Sequence, residues 1–99
     1  MYQVTTPIFT FTLSIDTANI TSLLLTFRQK GRNILNLTED DVTMTGNNVD
    51  VSLTQEQTKL FSVGKAFAQF RVKLTDDTVE SSNPVGITIS ETYNTEIMQ

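Results

Sequence analysis

The sequence predicts an all-β fold: an immunoglobulin-like two-sheet sandwich of about seven strands with one short helix near residues 55–62. Three observations lead there. Apolar and polar residues alternate with period two in segment after segment. Threonine supplies about one residue in six, and its branched side chain favours strands. A single helix-capping signature stands out against that background, in "LTQEQTKLFSVG".

The first strand is "IFTFTLSI", residues 8–15. Phe9, Phe11, Leu13 and Ile15 share one face, and Thr10, Thr12 and Ser14 share the other. Pro7 cannot donate to a ladder, so the strand starts after it and suits a sheet edge. "DTAN" reads as a turn. The second strand, "ITSLLLTFRQ", points Leu23, Leu25 and Phe27 inward; Leu24 breaks the pattern and is expected under a loop. "KGRN" turns at Gly31 into a short third strand, "NILNL". After the polar loop "TEDD", the segments "VTMT" and "VDVSL" flank "GNN" as a hairpin.

Thr54 and Gln57 form a capping box, with Glu56 placed to complement the helix dipole and Gly64 suited to a left-handed stop. A two-turn helix is not stable alone. It is expected to be held by burying Leu60 and Phe61 as a lid where the chain crosses between sheets. The next strand is the longest. Ala66, Ala68, Phe70, Val72 and Leu74 share one face; Gln69, Arg71 and Lys73 share the other, with Phe67 as an exception among the polar positions. "TDDT" is a turn, and "VGITISE" is a last strand with Val85, Ile87 and Ile89 inward.

The 99 residues make one domain, residues 1–99, large enough for one modest core. A net charge of −4 with seven dispersed basic residues lacks the footprint of a nucleic-acid binder. Without cysteine there is neither a disulfide framework nor a thiolate metal site. The start "MYQVTTPIF" has no basic region followed by a long apolar run, and no stretch approaches a membrane span. Synthesis in a reducing cytoplasm without a membrane step is the expectation.

Histidine and cysteine, the commonest general base and the strongest nucleophile, are both missing. No GxSxG, SxxK or phosphate-loop pattern occurs. The acidic groups Glu39–Asp41 and Asp76–Asp77 fall in turns, without the alternating spacing of a Ca²⁺ loop. The expectation is therefore a non-enzyme without cofactor or metal, for which small-molecule ligands are not foreseen. Two partner-contact candidates remain. One is the uncharged, hydroxyl-rich outer side of the first and last strands: Thr10, Thr12, Ser14, Thr88 and Ser90. Uncharged faces are easily desolvated, so self-association there is an expectation. The other is the basic knot Arg28, Lys30 and Arg32, fit for an acidic partner surface.

The run of "FTFTLSID", "LLLTFRQKGRNIL", "TEDDV" and "VSLTQEQTKLFSVGKAFAQFRVKL", over residues 8–91, resembles small proteins encoded among the tail and baseplate genes of phages and prophages of Gram-positive bacteria. More loosely, it resembles the amino-terminal sandwich module of upper baseplate proteins. Its most specific piece is "LTQEQTKLFSVGKAFAQFRV". The resemblance implies a virion structural or assembly protein: an interaction module made in the bacterial cytoplasm, located in the virion, and bound to other virion proteins and to copies of itself. No catalytic residue carries over. Upper baseplate proteins continue into a coiled coil whereas this chain stops at Gln99, so a receptor-binding head is not expected. Competing readings are a free-standing immunoglobulin-like binding module, such as a capsid decoration protein, and a phage-encoded inhibitor of a host protein.

Overall fold

The computed structural model describes residues 1–99 and sets eight strands in two antiparallel sheets packed face to face. The strands are β1 (Ile8–Thr12), β2 (Ile20–Gln29), β3 (Arg32–Thr38), β4 (Thr43–Thr45), β5 (Asn48–Ser52), β6 (Gly64–Leu74), β7 (Val79–Ser81) and β8 (Val85–Ile89). The helix α1 spans Gln55–Lys59. A three-stranded sheet runs β1–β5–β4, so β1 does lie at an edge. The five-stranded sheet runs β3–β2–β6, with β7 and β8 sharing the far edge of β6 end to end.

The sandwich and its short helix match the sequence reading. The pairing of β2 departs from immunoglobulin order. An immunoglobulin domain keeps its second strand with the first, fourth and fifth. Here β2 lies between β3 and β6, joined to β3 by a tight hairpin and to β6 over most of its length. The strand β7 was hidden in the sequence because all three of its residues are exposed and show no alternation.

Alternation decides which side chains meet between the sheets. Leu23, Leu25 and Phe27 of β2, Ala66, Ala68, Phe70 and Val72 of β6, and Val49 and Val51 of β5 are buried together. Phe11 reaches across from β1 to meet Phe70 edge-on, with ring centroids 5.0 Å apart. On β8 only Ile89 is fully buried; Ile87 is half-buried, and Val85 lies exposed at the sheet margin. No loop covers Leu24, which is 38% exposed on the outer side.

The helix closes one end of this core where the chain passes from β5 to β6, as its capping box predicts. Thr54 Oγ1 accepts from the Gln57 N–H, and Gln57 Oε1 accepts from the Thr54 N–H. The helix ends at Lys59, short of residue 62. At 3.6 residues per turn, Thr54, Thr58 and Phe61 fall on one side and Leu60 on another. Phe61 is buried and meets Phe27 edge-on at 5.6 Å, whereas Leu60 is 55% exposed. Burial of Leu60 is thus corrected, and fully buried Thr58 takes its place. Thr58 Oγ1 accepts from the Thr5 N–H and donates to the Thr5 carbonyl, fastening the amino-terminal segment to the helix. Thr58→Val removes that hydroxyl and strands both Thr5 groups. The expected loss is about 1–3 kcal/mol by denaturant titration, while Thr58→Ser stays closer to the parent.

A second fastening is buried Gln29, whose amide donates to the Ser62 carbonyl and accepts from the Ser62 N–H, at 2.6 and 2.8 Å. Just beyond it, Lys30 and Gly31 form the two-residue β2–β3 turn, both with positive φ, 54° and 75°. That is the type I′ pattern, in which a first-position lysine is poorly suited and asparagine favoured. Lys30→Asn is expected to raise stability by about 1 kcal/mol. A lower urea midpoint for that variant would contradict the turn assignment.

Candidate interaction surface

The two sets of hydroxyls expected to form one surface do not meet. Thr10 and Thr12 lie on the outer face of the three-stranded sheet, because β1 pairs with β5 and not with β8. Thr88 faces out from the five-stranded sheet beside Lys65. Ser14 follows β1 in a bend, exposed. Ser90 is engaged by the amino-terminal segment: its N–H donates to the Met1 carbonyl, and its carbonyl accepts from the Gln3 N–H. The hydroxyls of Thr10 and Thr12 are also occupied, donating across the ladder to Asp50 Oδ1 and Asn48 Oδ1. Those hydroxyls are satisfied within their own ladder, next to an Ile8 side chain that is 72% exposed on the same face.

The basic knot also divides. Arg28 is a strand residue facing outward, and one of its guanidinium nitrogens donates to the Gly31 carbonyl at 3.0 Å. Lys30 sits in the turn, so it does not continue Arg28's side of the strand. Arg32 opens β3 beside it, exposed.

The turn acids have local work. Glu39 Oε2 accepts from the Leu23 N–H where β3 ends, and Asp41 Oδ2 accepts from the Thr38 N–H. The Thr78 hydroxyl and N–H both donate to Asp76 Oδ1, which holds that carboxyl below the usual aspartate range. Whatever stability this brings is present above the unfolded-state pKa and lost as pH falls through the lowered folded value. No three acidic side chains converge.

The outer face of the five-stranded sheet has different chemistry. The β2–β6 register sets Ser22 opposite Lys73, Leu24 opposite Arg71, Thr26 opposite Gln69, and Arg28 opposite Phe67. The two residues that broke alternation, Leu24 and Phe67, therefore point out from the same face. Around Thr26 and Gln69, an apolar side chain and an arginine share each flanking pair, in opposite order. Leu24 and Phe67 occupy one diagonal and Arg28 and Arg71 the other. The two flanking pairs are about 13 Å apart, four residues at about 3.3 Å each.

Phe67 is 46% exposed and has Gly86 as its neighbour on β8, which has no side chain of its own to cover the ring. Lys65 lies across Gly86: a Cβ there would come within 2.7 Å of the Lys65 Cε. Four of the seven basic residues, Arg28, Lys65, Arg71 and Lys73, occupy outward positions of this sheet, and no aspartate or glutamate does. The chain's single ion pair joins Lys73 to Asp77 in the turn after β6, at 3.7 Å and well exposed. Arg71 has no internal ionic partner. An open groove of about 580 Å³ runs along the quartet, edged by Asn33, Asn36, Ser81 and Pro84.

The sequence carried part of this signal: Leu24, Phe67, Arg71 and Arg28 each stood out or shared a face. What it lacked was the register that places β2 beside β6. No helix is long and apolar enough to cross a membrane. No protein-family model, curated protein or solved structure matches the chain.

Proposed function

We propose that the protein is a non-catalytic interaction module of a phage particle, at the tail or baseplate, and that another virion protein docks on the outer face of its five-stranded sheet. The observation that carries the docking is the placement of exposed Leu24 and Phe67 on the one sheet face whose outward charges are all basic. Alternation normally places polar residues outside, and two large apolar exceptions lining one open groove, with Val79 exposed nearby opposite Lys73, favour a surface that becomes covered. The phage setting is supported by the sequence resemblance over residues 8–91.

Mass spectrometry of purified particles from the host that encodes the chain tests this reading. The chain is expected among the tail or baseplate components at a fixed copy number. Particles that lack it would overturn the virion role, and its recovery with heads alone would point to capsid decoration instead.

A further inference from the structure

We infer that the partner presents an acidic polypeptide segment to this face, with an apolar side chain set between carboxylates. The inference rests on the docking reading above and specifies its chemistry. The whole chain is acidic, at −4, yet every charged group projecting outward from this sheet is basic. Such segregation sets up a local potential opposite to that of the rest of the molecule. The same segregation opposes face-to-face packing of two copies, because each would set its four cations against the other's four.

The quartet also fixes what an occupant has to offer. Arg28 and Arg71 stand at opposite corners, and a guanidinium receives carboxylates in two-pronged geometry. Arg28 spends one donor on Gly31 and retains the others, while Arg71 is unengaged. Leu24 and Phe67 fill the other corners and call for an apolar side chain that covers them. An extended segment with an acidic, an apolar and an acidic side chain at every second position meets both demands, since residues i, i+2 and i+4 project from one side of a strand about 6–7 Å apart. Nucleic acid is the less suitable polyanion. It would leave Leu24 without an apolar partner and would meet the negative field of the remaining chain.

Titration of the ¹⁵N-labelled full chain, followed by NMR, tests this with three probes: a short glutamate–leucine peptide, Ser-Glu-Ser-Leu-Ser-Glu-Ser, which sets leucine between two glutamates on one side of an extended chain, its lysine–leucine counterpart, and oligothymidylate. The glutamate–leucine peptide is expected to shift the amide signals of Arg28, Phe67, Gln69 and Arg71. Its affinity is expected to fall about tenfold or more in Arg28→Gln/Arg71→Gln, a variant whose unperturbed spectrum elsewhere would show an intact fold. Equal affinity for the lysine–leucine peptide, tighter binding of oligothymidylate, shifts confined to the three-stranded sheet, or no shifts would each overturn the acidic-partner inference. Those failures leave the docking reading separately testable, through recruitment of face variants into particles.

Discussion

Phe61→Ala is expected to lower the free energy of unfolding by about 3–5 kcal/mol. The ring is buried at the end of the core and meets Phe27 edge-on, so truncation removes both the buried area and a favourable aromatic contact. The surroundings resist collapse into the vacated space. The Gln29 amide holds the following Ser62 from both sides, and Gln3 Nε2 donates to the Phe61 carbonyl. A helix of five residues has no reserve of its own, so loss of this contact also releases α1 and the segment that Thr58 fastens to it. Leu60→Ala is the matched control. Its side chain is mostly exposed, and the change is expected to stay within about 0.5 kcal/mol. Equal urea midpoints for the two variants would contradict the placement of the lid.

The second large effect concerns docking. Arg28→Glu/Arg71→Glu reverses both arginine corners while leaving Leu24 and Phe67 in place. Each side chain is exposed, so folding is expected to change by no more than about 0.5 kcal/mol per site. Each reversal replaces an attractive contact with a repulsive one, and together they are expected to weaken partner binding by about a hundredfold or more. In cells that supply the chain in trans to a deletion phage, the variant is expected to accumulate in soluble, folded form and to be missing from particles. Normal incorporation would show that this face is not the interface. Thr10→Lys/Thr12→Glu, on the opposite face, serves as the comparison and is expected to incorporate normally.

Much of the fold was legible because a pleated strand with one wet side writes its orientation into the sequence. Phe9, Phe11 and Leu13 read inward from alternation alone, and so did the four inward residues of β6 from Ala66 to Val72. The position of α1 followed from Thr54 and Gln57. Its phase did not: so short a helix gives its period too few residues to separate Leu60 from Phe61. Neighbour relations were equally illegible. Alternation says which side of a sheet a residue takes, but not which strand lies beside it.

That gap explains both the error and the omission at the surface. Thr10 and Thr88 read as one hydroxyl-rich face only if the first and last strands are neighbours, and β1 and β8 belong to different sheets. Leu24 and Phe67 were each visible as a breach of pattern, 43 positions apart in sequence. Their meaning as a pair appears only when β2 and β6 lie side by side and bring Arg71 and Arg28 with them.

The most direct test is site-specific photo-crosslinking within assembled particles, with p-benzoylphenylalanine placed either at Phe67 or at Thr10. The aromatic replacement at Phe67 preserves the character of the face. A discrete crosslinked product is expected, from the Phe67 position only, joining the chain to a second particle protein. A product obtained from the Thr10 position but not from Phe67 would contradict it, and would move the interface to the three-stranded sheet.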